Sequence, residues 1–145
     1  MDEYRHGSHT VFGIHLHLVW ITKYRKNVLE GVVAFRVRDM IREICQRSNV
    51  DIIKGHVSKD HIHLFVSIPP QVTISRLVQR LKGKTSHALL SEYPHPRKLY
   101  WGRHFWARGY FCCSSGNVTD EVIKQYIEGQ DLTSDDNFKI ESEGE

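Results

Sequence analysis

The sequence is poor in cysteine and proline, with three and four respectively among 145 residues. The cysteines, Cys45, Cys112 and Cys113, form no Cys-x-x-Cys pair. An odd count without ligand spacing argues for reduced thiols in a cytosolic protein and against a disulfide framework. Long hydrophobic runs are also missing. Every apolar stretch falls far short of the ~18 residues that span a bilayer, so no membrane span is expected. The opening "MDEYRHGSHT" lacks the charged-then-apolar layout of a signal peptide, and the expectation is cytoplasmic residence. No Walker-type glycine-rich loop and no low-complexity linker occur. A chain of this length suits one domain, which buries roughly 68–70% of its unfolded surface without needing staples.

Charge is present but unevenly placed. The net charge is +3. Residues 131–145 carry six of the 17 acids and one of the 20 Lys and Arg residues, which leaves the first 130 with a surplus of eight positive charges. The reading is one basic domain over 1–130 and an acidic, poorly ordered tail over 131–145. A basic body suits a polyanion such as nucleic acid, although a solvated charged surface is the commoner reason for a modest excess.

Periodicity gives the order of elements. "TVFGIHLHLVWIT" reads as a first strand and "GVVAFRVRDMIREICQRSN" as a helix with one apolar face. "NVDIIKGHVS" and "DHIHLFVSIP" read as second and third strands around a tight "SKD" turn. "TISRLVQRLKGKTSHALLSEY" gives a second helix that Gly83 is expected to interrupt, and "RKLYWGRHFWARGYFCCSSG" one or two further strands. "TDEVIKQYIEGQ" closes with a short helix, with Thr119 as N-cap. The order β-α-β-β-α-β is the split βαβ, ferredoxin-like pattern. It predicts an α+β fold: an antiparallel sheet with helices on one face, first and third strands adjacent at its centre, plus a C-terminal helix. Fold alone names no function.

Two His-x-His pairs stand out, His15/His17 and His61/His63. Alternation along a strand puts both rings of a pair on one face, where two neutral imidazoles can reach one metal. Surface histidines on a solvated strand have the same spacing, so spacing alone does not choose. On the last helix Tyr126 and Gln130 are four apart and share a face. Tyrosine there is more often a core or rim residue, and glutamine more often solvated. Beside a metal, Gln offers a neutral oxygen ligand and Tyr a phenol nucleophile that the metal would help to activate.

Taken in order, "HLVWITKYRK", "DHIHLFVSIPP", "LKGKTS", "WARGYF" and "YIEGQ" resemble the single-tyrosine HUH transposases of the TnpA type over about residues 4 to 130. HUH denotes His, hydrophobic, His, which here is His61-Ile62-His63. The resemblance implies that His61, His63 and Gln130 bind a divalent cation, Mg²⁺ or Mn²⁺, and that Tyr126 is the nucleophile. It implies cleavage and rejoining of single-stranded DNA at hairpin-marked element ends through a 5′-phosphotyrosine intermediate. A homodimer is implied too, with tyrosine helices possibly exchanged between subunits; "SSGNVT" would serve as the hinge. His15 and His17 fall where the family has no metal pair, and His17 is left as a support for the adjacent site. Asp60 reads first as a turn residue, with orientation of an imidazole the alternative. Gly129 departs from the family's habit of a side chain there, and a helix glycine costs about 1 kcal/mol relative to Ala.

Candidate phosphate contacts are Lys23, Arg25, Arg76, Arg80, Lys82, Lys84, Arg103 and Arg108, with Lys26 beside them. Tyr100, Trp101, Phe105 and Trp106 alternate with basic residues and offer stacking faces, half of them expected to fill the core instead. Two other classes compete. A histidine-triad hydrolase fails because Phe65 stands where a third His is needed. A non-catalytic or domesticated hairpin-binding protein of the same fold remains, with Tyr126 as the discriminator.

Overall fold

The computed structural model describes residues 4–6, 11–100, 104–114 and 137–141. A short hairpin of β1 (Arg5–His6) and β2 (Val11–Phe12) precedes the main sheet. The sheet is built from β3 (Ile14–Ile21), β4 (Asp51–Val57), β5 (His61–Ile68), β6 (Phe111–Ser114) and β7 (Phe138–Ile140) in the order β6-β3-β5-β4-β7. β3 pairs antiparallel with β5 and β6, β5 pairs antiparallel with β4, and β7 lies parallel to β4. The first four main strands therefore follow the expected ferredoxin-like arrangement, with β3 and β5 in the middle.

Helices α1 (Gly31–Arg47) and α2 (Ile74–Glu92) cross between strands. α1 turns Val33, Ala34, Val37, Ile41 and Ile44 inward, and α2 turns Leu77, Val78, Leu81 and Leu89 inward, the 3.6-residue repeat of a one-faced helix. They meet Leu16, Leu18 and Trp20 of β3, Ile62, Leu64 and Val66 of β5, and Val57 of β4 in one core cluster. The strand alternation thus assigns one sheet face to the helices. The other receives His15, His17 and Val19 from β3, His61, His63 and Phe65 from β5, and His56 from β4.

Three expectations are corrected. Gly83 does not interrupt α2, which runs unbroken to Glu92; the buried residues on both sides of Gly83 outweigh its weak helix propensity. "PHPRKL" forms a further short helix, α3 (Pro94–Leu99), with proline in its first turn, where no backbone N–H is needed. The acidic segment is not all a poorly ordered tail, because Phe138, Lys139 and Ile140 are buried as β7 at the sheet edge. Gly55 N–H donates to the Asn137 carbonyl and Glu141 N–H to the Val57 carbonyl. The Phe138 ring lies on Gly55, where any Cβ would stand 2.5 Å from it. The predicted C-terminal helix and the "SSGNVT" hinge beyond Ser114 fall outside the described residues.

Candidate active site

The centre of the helix-free face is a group of imidazoles. His61 and His63 project from β5, and His63 is directly paired with Val19 on one side and with His56 on the other. Because β3 runs antiparallel to β5, the upstream pair lands lower on the sheet: His17 is opposite Phe65 and His15 opposite Ser67. The two His-x-His pairs are therefore offset. His17 stacks on Phe65 with ring centroids 4.4 Å apart and reaches His63 edge-on at 6.0 Å. This places His17 as a buried wall beside His63, while His15 makes an edge contact with Phe65 at 5.9 Å.

His61 and His63 differ in how they are held. The Asp60 carboxylate accepts a hydrogen bond from His61 Nδ1 at 2.8 Å. A carboxylate can only accept, so Nδ1 carries the hydrogen, and in the neutral ring Nε2 is the nitrogen that offers a lone pair to another partner. Asp60 Oδ2 in turn accepts from Arg25 Nε and Nη2 at 3.2 and 3.1 Å. Burial pushes the Asp60 carboxyl upward, but hydrogen bonds and charge from His61 and Arg25 outweigh it and hold the group below its ordinary range. The turn reading of Asp60 gives way to the orienting one. Arg25, an expected DNA contact, is paired with Asp60 here while its side chain stays 66% exposed.

His63 is buried, and its Nε2 has no hydrogen-bond partner among the described residues. Its pKa is lowered to about 4, chiefly by burial and then by the neighbouring His17, His61 and His56. It is neutral near pH 7, the form that ligates metal. A buried ring nitrogen without a partner is costly unless something else satisfies it. The two imidazoles thus fit a shared cation at their Nε2 atoms. Among the described residues no third His, Cys, Asp or Glu completes the set. Gln130 and Tyr126 lie outside the described residues, as does Arg103.

His56 was not anticipated. It is buried, and its pKa is lowered to about 4, first by burial and then by His61, with Glu141 opposing. Its place opposite His63 depends on a register shift between Ile52 and Lys54, which strict alternation in the sequence does not reveal.

The basic residues divide into two groups. Arg76 and Arg80 flank a hollow at the start of α2, with Arg80 Nη1 donating to Ser48 Oγ at 2.8 Å, and Lys84 stands with Arg47 and Arg80 beyond it. Lys23, Lys82 and Arg108 line a cavity of about 680 Å³ between α2 and residues 104–109. Lys82 is occupied there: its Nζ donates to the Ala107 and Gly109 carbonyls, both at 2.7 Å, and pins that loop. Of the stacking candidates, Tyr100, Phe105 and Trp106 are buried, and Trp106 Nε1 donates to Thr85 Oγ1. They belong to the core, and Trp101 lies outside the described residues. Among the described residues no helix is long and apolar enough to cross a membrane.

Comparison with known proteins agrees with this arrangement. The family described as IS200-like transposase matches residues 10–130. The ISDra2 transposase TnpA of Deinococcus radiodurans is 34% identical over 128 residues, covering 88% of this chain and 91% of that protein. The transposase for insertion sequence element IS200 of Salmonella typhimurium is 32% identical over 130 residues, covering 90% and 85%. A crystal structure described as a transposase of Deinococcus radiodurans superposes with a TM-score of 0.73 at 32% identity, covering 87% of this chain and 97% of that one. A REP-associated tyrosine transposase bound to a REP hairpin shares the fold, with a TM-score of 0.58 at 15% identity over 88% and 69% of the two chains. With its paired strand histidines, its sheet order and a match over most of its length, the chain belongs to the IS200-like transposases.

Proposed function

We propose that this transposase cleaves and rejoins single-stranded DNA at hairpin-marked ends, with Tyr126 as nucleophile and a 5′-phosphotyrosine intermediate. The observation that carries the reading is the pair of Nε2 atoms on one strand face. One is freed by the Asp60 hydrogen bond to His61, and the other is buried without a partner among the described residues. His61, His63 and Gln130 would hold Mg²⁺ or Mn²⁺, which supplies Lewis-acid polarisation of a scissile phosphate. Asp60 fixes the His61 tautomer, Arg25 braces Asp60, and His17 and Phe65 wall the site.

Topology supports Tyr126. Ser114 ends β6 on one edge of the described sheet and Phe138 begins β7 on the other, four strand spacings or ~19 Å away. The helices α1 and α2 occupy the opposite face, so the imidazole face is the one a tyrosine from between these points would serve. The tyrosyl ester conserves the energy of the phosphodiester, and a strand's 3′-hydroxyl reverses the step without ATP. The hairpin carried by a neighbour of the same fold fits a hairpin substrate here. The assembly we propose is a homodimer.

The test is incubation of labelled single-stranded DNA carrying an element-end hairpin with Mn²⁺ or Mg²⁺, using wild type and Tyr126→Phe. A denaturation-resistant adduct in wild type alone is the expected result. Hairpin binding with metal present but no adduct would assign the chain to non-catalytic hairpin binding.

A further inference from the structure

Two features of the cavity between α2 and residues 104–109 are not accounted for by packing among the described residues. The first is Gly83. It lies in the interior of α2 with helical backbone, and a Cβ built on it meets nothing within 4 Å among the described residues. Glycine is among the poorest residues for a helix interior, and neither a turn nor internal packing demands it here. The second is Tyr24. Its backbone is left-handed, φ 62° and ψ 15°, followed by Arg25 at φ 52°. That region is an outlier for a bulky residue, and such strain concentrates at functional sites. Yet the ring is 72% exposed, so burial is not what the strain secures.

Both residues line the same 680 Å³ cavity. Gly83 and Ser86 also line a second cavity, of about 440 Å³, which continues along α2 to Arg97. Among the described residues no Asp or Glu lines either one, whereas Lys23 and Arg108 stand on the first and Arg97 on the second. The turn that displays Tyr24 is joined to the imidazole site, because Thr22 N–H donates to the Asp60 carbonyl and Arg25 pairs with the Asp60 carboxylate.

We propose that the two cavities form one track for a single strand of DNA, passing over Gly83 where only a glycine lets its backbone lie against α2, with one unpaired base stacked on Tyr24. The charge complements a phosphate backbone. An exposed ring suits an unpaired base, since a base in a duplex already has both faces stacked. This reading deepens the DNA-cleavage proposal and rests on it for the direction of the track toward the imidazoles.

The experiment measures Kd for a fluorescein-labelled 20-nucleotide oligothymidylate and for a 20-base-pair duplex, by anisotropy, with wild type, Gly83→Gln and Tyr24→Asn. Gln favours helix and Asn tolerates left-handed backbone, so both variants should melt at or above the wild-type temperature. Expected are a wild-type preference for the single strand and a roughly tenfold or greater loss of affinity for it in each variant. Wild-type affinity for oligothymidylate in both variants, no wild-type binding to it, or equal wild-type affinity for duplex would overturn the track. The wild-type adduct assay separates this proposal from the catalytic one. Loss of affinity in both variants without any adduct sinks the cleavage reading and leaves the track. Adduct formation with unaltered affinity in both variants sinks the track alone.

Discussion

At the scale of single residues, the imidazole site is defined by who holds which nitrogen. His61 Nδ1 is committed to Asp60, and Asp60 to Arg25. Removing a carboxylate behind a metal-bound histidine typically costs 10–100-fold in affinity. Asp60→Ala should therefore weaken Mn²⁺ binding by roughly that factor in calorimetry, with Arg25→Ala weakening it less. Undiminished Mn²⁺ affinity in Asp60→Ala would remove Asp60 from the site. The same cluster makes stability depend on pH. His56 and His63 are depressed to about 4, mainly by burial. Above pH 6.5 both are neutral folded and unfolded, and stability is at its full value. Below it the unfolded chain gains protons that the folded chain refuses until about pH 4. A depression of this size is worth about 3 kcal/mol per histidine. Metal-free urea unfolding should show stability falling by a few kcal/mol between pH 7 and pH 4, with a shallower fall in His56→Asn. Parallel pH profiles for the two proteins would contradict the buried neutral state of His56.

Elements raise a different question, namely what fastens the sheet edge. β7 is three residues long, too short to persist by backbone pairing alone. Phe138, fully buried against Gly55 and under the Arg42 guanidinium at 5.7 Å, supplies what pairing cannot. Phe138→Ala should cost about 3–5 kcal/mol in urea unfolding. Gly55→Ala should cost about 1–3 kcal/mol through its clash with the ring, and less in a Phe138→Ala background. Strict additivity of the two would show that ring and glycine do not meet. At α2 the opposite sign holds, since Gly83→Ala should stabilise by about 1 kcal/mol because no described residue occupies the space its Cβ would take.

Across the whole molecule, the two faces of the sheet divide the labour. One is filled by α1 and α2 and holds the core, and the other carries the imidazoles. If tyrosines are exchanged between subunits of a dimer, mixing His63→Ala with Tyr126→Phe should restore adduct formation to a fraction of the mixed dimers. Each such dimer then contains one intact His pair facing one intact tyrosine. Adducts in the wild type but none in the mixture, with mixed dimers demonstrated by differential tagging, would mean that each tyrosine serves its own subunit.

Much of this was readable from residue order. Apolar spacing gave both long helices, and alternation gave the three central strands, because each is a local consequence of burying one face. His61-Ile62-His63 had to present two rings to one side for the same reason. Other features were beyond any local rule. Which His-x-His pair takes the central position depends on antiparallel register, which sets His63 beside His56 and sends His15 and His17 down the sheet. The fates of Arg25 and Lys82, one bound to Asp60 and the other to two loop carbonyls, depend on partners 35 and 25 or more residues away. β7 was hidden because three apolar-flanked residues in an acidic stretch carry too little local preference to predict a strand. By itself the sequence determined the long elements and the residue types that chemistry needs, since periodicity is a short-range property of the chain. Tertiary structure alone decided which of those residues meet, because pairing register and packing are set by contacts between segments far apart in sequence.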